Sequence, residues 1–270
     1  MTVRVIVVDN DPENGAKAVL EAVRESFPFP LEYALEEKRG ISHARNRLVA
    51  MAGESDLIAF IDDDETAEPQ WLDELIAVQR TTGADVVLGA LLPAFEAEPS
   101  GWLRLEFTRK RYSTGSRVPP GAFKTGNVLL TRRALEDVEG PFDPTFGLIG
   151  GEDVFLGCCL SDLGKRFYWA DEAVAYEHHP QERLQTWWVA KRYFCKGACS
   201  VALDRRRYSF VLGFLVRLVK GVGGIAVGVM LAVPGLLLGG RLRLEFIRRI
   251  SRGCGSLAGL LGVRPRWYGT

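Results

Sequence analysis

Three apolar runs, VRVIVV at residues 3–8, LIAFI at 57–61 and ADVVLGAL at 84–91, are separated by segments with helical periodicity. That alternation restricts the chain more than any other feature. Short apolar runs bounded by turn residues read as buried strands. Between them, residues 14–27 form an amphipathic helical pattern and 31–35 a second short strand. ISHARNRLVAMAG, opened by Gly40, predicts a helix with Ser42 as its N-cap and Gly53 near its end. Pro69 opens another helix, which carries Trp71, Leu72, Leu75 and Ile76 on one face and stops at Gly83. Strand alternating with helix predicts an α/β fold, a Rossmann-like and largely parallel sheet with helices on both faces. Residues 93–120 read as loop-rich, and helices are expected near 152–163 and 184–201.

The strand at 57–61 runs into acid: IAFIDDDE, residues 58–65. Adjacent carboxylates repel and raise one another's pKa unless something positive lies between them. Open α/β sheets bind ligands beyond the carboxyl ends of their strands. Asp9 with Asp11, and Asp62 to Glu65, both stand at such ends. Side chains alternate along an extended segment, so Asp62 and Asp64 point together and Asp63 away. Two carboxylates on one side suit a hard cation such as Mg²⁺ or Mn²⁺. A solvated acidic turn is the competing reading. GGEDVFLGCCL (150–160) places two acids after two glycines; it reads as a helix start with acids in the first turn, or as a loop presenting a general base. EHHP (177–180) holds two of the three histidines, either a surface pair or part of a site.

Charge narrows the partners. Lys plus Arg and Asp plus Glu both number 34, so there is no global attraction to nucleic acid. The last third is nonetheless basic, with Arg205, Arg206, Arg207, Arg217, Lys220, Arg241, Arg243, Arg248, Arg249 and Arg252. Beside apolar sequence, such a tail predicts contact with an anionic membrane surface. Residues 221–240 carry no charge and are long enough to span a bilayer, but they are glycine-rich and contain Pro234. Basic residues at both flanks favour an interfacial or re-entrant helix. The expectation is a peripheral protein, or one with a single weak membrane segment at about 208–240, at the cytoplasmic face of the membrane. Five cysteines without a Cys-x-x-Cys pair argue against structural zinc and for a reducing compartment. Residues 1–205 are expected to form the main domain and 206–270 an apolar and basic tail.

VIVVDND, GISHARNRL, IAFIDDDE, GPFDPTFGLIGGED and VAYEHHP, in that order, resemble the family-2 glycosyltransferases of the GT-A fold, over roughly residues 3–200. The resemblance implies an inverting transfer of a sugar from a nucleotide-diphosphate donor to a hydroxyl of a glycan or lipid-linked acceptor. It makes Asp62-x-Asp64 the metal motif for Mn²⁺ or Mg²⁺, with Asp64 ligating the metal, Asp62 also beside the donor ribose, and Asp63 within the donor site. Asp9 and Asp11 would meet the nucleotide base and Arg45 would help hold it. Asp153 would be the general base, with Glu152 beside it at the acceptor, and His178 would complete the metal site. TWWVAKRYFCKG (186–197) would meet a lipid-linked or polysaccharide acceptor, or pack in a core.

One departure stands out. Family members begin one strand–helix unit earlier, and the run at 3–8 matches their second strand. That predicts a gap in the sheet with unpaired backbone groups beside it. Two explanations compete: a true start upstream of Met1, which the retained site acids favour, or a catalytically inactive membrane-associated relative that binds sugar or nucleotide. A phosphoacceptor signalling domain would leave GGED and EHHP unexplained, and a metal-dependent phosphohydrolase fits DDDE but not the order of the segments.

Overall fold

The computed structural model describes residues 1–267, apart from the side chain of Arg207. In chain order its elements are β1 (Val5–Asp9), α1 (Gly15–Val23), β2 (Leu31–Leu35), α2 (Ile41–Ala52), β3 (Leu57–Ile61), β4 (Glu65–Ala67), α3 (Trp71–Thr82), β5 (Val86–Phe95), α4 (Gly101–Phe107), β6 (Asn127–Thr131), α5 (Arg132–Glu136), α6 (Glu152–Asp162), β7 (Phe167–His179), α7 (Thr186–Arg207), α8 (Phe210–Leu238) and α9 (Gly240–Leu260).

The strands make two sheets. β1 and β2 pair in parallel, in register from Val5 opposite Leu31 to Asp9 opposite Leu35. The second sheet has the order β3-β6-β5-β7-β4. Here β3, β5 and β7 point one way while β6 and β4 run against them. This corrects the expectation of a largely parallel sheet. The cause is NVLLT: Val128, Leu129 and Leu130 are fully buried, and β6 inserts between β3 and β5 so that Val128 faces Phe60 on one side and Leu88 on the other. No ladder joins β1 to β3 among the described residues. The smaller sheet is tied to the rest by side chains. Arg4 donates to the carbonyls of Met51 and Ala52 at 2.9 and 2.7 Å, and Asn10 accepts from the Gly40 N–H at 2.8 Å.

The core lies on both faces of the larger sheet. Phe60, Val86, Leu88 and Leu130 pack with Phe123, Phe142, Leu156 and Leu160 on one side. Val87, Leu129 and Ala170 pack with Leu75, Ile76 and Val78 of α3 on the other. Each strand thus contributes alternate residues to opposite layers. β5 and β7 slip register between Gly89 and Ala90. Asn127 stitches the irregularity: its amide donates to the carbonyls of Ala90 and Ala173 at 3.0 and 2.9 Å and accepts from Trp71 Nε1 at 2.8 Å.

α7 is longer than the 184–201 segment anticipated. The boundary expected at 205/206 falls inside it. α9 returns to bury Leu244 and Ile247 against Leu103 of α4 and Val189 and Tyr193 of α7. α8 is one unbroken helix of 29 residues despite Pro234, with mean hydropathy 2.1 over its most apolar stretch, of which 17% is buried. Its inward face is Gly213, Arg217, Gly221, Gly228 and Gly235. A Cβ on Gly253 of α9 would meet the Gly221 carbonyl at 2.7 Å, so the two backbones approach as only glycine allows.

Candidate active site

The chain leaves β3 at Ile61 and turns through Asp62, Asp63 and Asp64 into β4. Ligand oxygens of Asp62, Asp64 and Glu65 lie within 4.8 Å of one another, while Asp63 is exposed. Glu65 Oε2 accepts the Asp62 N–H at 3.1 Å. Burial, and then the neighbouring Asp62 charge, push the Glu65 carboxyl up to about 9. Burial also raises Asp62, against the pull of Arg45. Asp64 is paired with Arg183 Nη1 at 2.7 Å.

Arg45 is the hinge of the arrangement. It is 6% exposed, with its guanidinium 5.7 Å from the Phe142 ring centroid. One amino group binds Asp62 at 2.8 Å and the other Glu152 at 2.6 Å. A single side chain from α2 therefore joins the acidic turn after β3 to the first turn of α6, 107 residues further along. Glu152 is 2% exposed; its second oxygen has no partner among the described residues, and burial beside Asp153 raises it to about 7. Burial would raise Asp153 as well, but Lys124 Nζ at 2.9 Å outweighs it and holds that carboxyl below its usual range.

The loop before α6 is held from both sides. On the α2 side, Ile41 N–H donates to the Gly147 carbonyl at 3.0 Å, and Asn46 bonds both the carbonyl and the N–H of Phe142 at 2.7 and 3.0 Å. Ser42 caps nothing: Gly40 precedes the helix, and the Ser42 hydroxyl donates to the Asp143 carbonyl at 3.0 Å. On the α7 side, Cys199 Sγ donates to the Gly150 carbonyl at 2.7 Å, its thiol pushed up to about 12 by burial and by Glu152 and Asp153. Gly151 has φ 101° and a Cβ there would strike Cys199 Sγ, so both conformation and space demand glycine. Glu152 and Asp153 belong to the first turn of α6, the helix-start reading of GGED.

Other anticipated residues sit as follows. Asp9 is buried at the end of β1; its oxygens accept from the N–H groups of Asp11 and Ala16 and from Tyr33 Oη, at 2.9, 3.1 and 3.2 Å. Asp11 is exposed and accepts from the Glu13 N–H at 3.1 Å. His178 stands outside the acid cluster, exposed, with Nε2 2.8 Å from Thr66 Oγ1. His179 is 2% exposed and is lowered to about 4 by burial, stacked near Phe107 and Phe95. A cavity of about 360 Å³ opens beside Lys124, lined also by Tyr112, Trp169, Arg109 and Leu91. Sequence reasoning missed the parts played by Lys124, Arg183 and Cys199. Glu65 was within the acid run, but the alternation argument did not select it.

The family-2 glycosyltransferase profile, described as glycosyl transferase family 2, matches residues 1–138. The succinoglycan biosynthesis protein ExoM of Rhizobium meliloti is 31% identical over 266 residues, 97% of this chain and 84% of that protein. The chain belongs to glycosyl transferase family 2. Glycosyltransferase AglE of Haloferax volcanii is 26% identical over 63% of this chain and 55% of its own length. Among solved structures, GalNAc-T7 with UDP, GalNAc and Mn²⁺ superposes with TM-score 0.51 at 12% identity, covering 71% of this chain and 44% of that one. Residues 1–349 of S. aureus TarS with UDP-GlcNAc give 0.50 at 14%, covering 94% and 82%. At these identities the structural likeness shows the fold, which is GT-A. As a family-2 glycosyltransferase the protein takes its sugar from a nucleotide-activated donor.

Proposed function

We propose that this glycosyltransferase is inverting and metal-dependent, with Asp153 as general base, and that it builds an envelope polysaccharide at the cytoplasmic membrane face. The observation that carries the reading is Arg45, which couples Asp62 in the acid cluster to Glu152 beside Asp153. Donor and acceptor chemistry are thereby held at one place. The hard oxygen set of Asp62, Asp64 and Glu65 fits Mg²⁺ or Mn²⁺. Burial, and then the neighbouring Asp62 charge, drive the Glu65 carboxyl toward neutrality, a cost that a divalent cation at the cluster would offset. When bound, such a cation supplies charge neutralisation for a departing diphosphate.

The chain's own groups do the rest. Asp153 is ionised at neutral pH and takes the proton of the acceptor hydroxyl as that oxygen attacks the anomeric carbon. One displacement inverts the configuration, with no covalent enzyme intermediate. Lys124 orients the carboxylate until the acceptor arrives. Glu152 offers its unpartnered oxygen to an acceptor hydroxyl. Asp9, Asp11 and Asp63 would meet the nucleotide, and His178, 2.8 Å from Thr66 Oγ1, would be a further residue to hold the cation. The acceptor is a glycan or a lipid-linked glycan, a class supported by the name of the succinoglycan relative. The exposed apolar face of α8 rests in the membrane surface. Residues 1–205 carry the chemistry and 206–270 the attachment.

A second reading, an inactive sugar- or nucleotide-binding relative, is favoured by the missing ladder between β1 and β3, beside Asp9. Hydrolysis of a panel of nucleotide sugars with and without Mn²⁺ separates the two. Turnover that survives excess chelator overturns the metal, no turnover with any donor favours the inactive relative, and retained anomeric configuration in the product overturns single displacement.

A further inference from the structure

Away from the acid cluster, α7, α8 and α9 enclose a second cavity of about 460 Å³. Five cations line it: Arg217, Lys220, Arg248, Arg249 and Arg252; the carboxylate in its wall is Glu245. Three of the cations are already engaged. Arg217, buried, donates through Nε to Asp204 at 2.8 Å. Arg248 donates to Tyr193 Oη at 2.7 Å and to Glu245 at 3.0 Å, and Arg249 lies 3.4 Å from the same Glu245. Lys220 and Arg252 have no hydrogen bond or ion pair among the described residues. Both side chains are exposed to solvent while lining the cavity, so their charge is open to a ligand. A fold that gathers unpaired like charges around a cavity is set up for an anion.

We propose that this cavity binds the phosphate or diphosphate group of a membrane lipid. The cavity takes its chemistry from the cations and its source from α8. That helix puts Lys220 and Arg217 into the cavity, while Val219, Val222, Val229 and Met230 are 69, 53, 59 and 69% exposed. A ligand with a phosphate at one end and hydrocarbon at the other meets both surfaces of one helix. α7 is the shared wall with the active site: Tyr193 lines the cavity, and Cys199 holds the Gly150 carbonyl of the catalytic loop. In a lipid-linked glycan the phosphate lies between lipid and sugar, and α7, which lends Tyr193 to the cavity, also holds through Cys199 the loop that leads into Asp153 at the start of α6. This assignment rests on the membrane reading above.

The test equilibrates the full chain with sedimentable vesicles of phosphatidylcholine alone, with added phosphatidic acid, and with phosphatidylglycerol at equal surface charge. Wild type should prefer the phosphatidic acid vesicles over the phosphatidylglycerol ones by about tenfold, and inorganic pyrophosphate should abolish the preference. Lys220→Gln with Arg252→Gln should lose the preference yet still bind phosphatidylcholine and hydrolyse nucleotide sugar as wild type does. Arg205→Gln with Arg241→Gln, which removes the same charge from exposed helix surface, should keep it. If the double variant does not fold, Lys220→Gln alone should cut the preference by roughly threefold. Equal losses in both double variants would reduce the effect to general electrostatics and overturn the site. Pyrophosphate binding by calorimetry without any vesicle preference would reassign it to a soluble phosphate, overturning the lipid. Failure to bind any vesicle would overturn the membrane reading too, whereas binding without headgroup preference overturns this proposal alone.

Discussion

The turn after β3 and the cavity among α7, α8 and α9 hold surplus charge of opposite sign. In the acidic turn every cation within reach is engaged: Arg45 by Asp62 and Glu152, and Arg183 by Asp64. Carboxylates remain in excess. In the helical cavity the carboxylates are the engaged partners, Asp204, Glu245 and Glu106, and cations remain in excess. Asp62, Asp64 and Glu65 of the turn are half-buried, where an unpaired charge is costly, whereas Lys220 and Arg252 are exposed and stand open to solvent. What is left over on each side points to a ligand of opposite charge, a cation at one place and a phosphate at the other.

The sharpest way to break that contrast is at the acidic end. Asp64→Ala should bring sugar transfer to the limit of detection while circular dichroism stays unchanged, and Mn²⁺ should no longer raise its Tm. A variant that melts and turns over like wild type would remove the cation from the picture. Next in size is Asp153→Asn. Transfer should fall by at least about a hundredfold, with donor affinity measured by calorimetry unaltered, because the group acts on the acceptor. Loss of donor affinity at normal turnover would reverse the assignment.

At the other end, Val219→Glu with Met230→Glu places charge on the exposed face of α8. Sedimentation with neutral vesicles should fall by about tenfold without change in Tm or in nucleotide-sugar hydrolysis. Unchanged sedimentation would mean that this face does not meet lipid. The smallest effect sharpens the role of Lys124. With Asp153 as the proposed general base, rate requires it ionised and declines as pH falls through that carboxyl's pKa. Lys124 depresses the value. Lys124→Gln should therefore move the acid limb of the transfer rate upward, by about one pH unit, with little change on the plateau. A limb that stays in place would separate Lys124 from the base.

The two regions also differ in how far sequence reveals them. The acids of the turn are consecutive, so their grouping was legible, but the segment is a hydrogen-bonded turn and not extended chain, which is why Glu65 joins Asp62 and Asp64 although alternation did not select it. Strands at 31–35 and 57–61 and the helix after Pro69 were legible for the same local reason. β6 was not, because its antiparallel course depends on which strands it lies between rather than on its own five residues. Lys124 and Arg183 escaped notice because their partners lie 29 and 119 residues away. The helical cavity was visible only as a basic tail. Its five cations come from two helices of a hairpin, and nothing in their spacing tells which of them face one another. Cys199 gave no signal at all; its function is to touch a carbonyl brought to it by the glycines at 150 and 151.

The divided sheet has a kinetic consequence. Protection of a backbone amide from exchange with solvent reflects the free energy of the smallest opening that exposes it. In β5 the first six residues are buried and both edges are paired; in β1 only Asp9 is buried and one edge alone is paired. The β1–β2 ribbon is held to the remainder by Arg4, Asn10 and its packing on α2, not by a ladder. Its amides therefore exchange through a local excursion, while those of β5 wait for the whole molecule to open. The ribbon carries Asp9 at its tip, so on the proposed function one wall of the donor site would breathe on a faster clock than the floor that holds the carboxylates, and nucleotide entry and departure would follow the faster one.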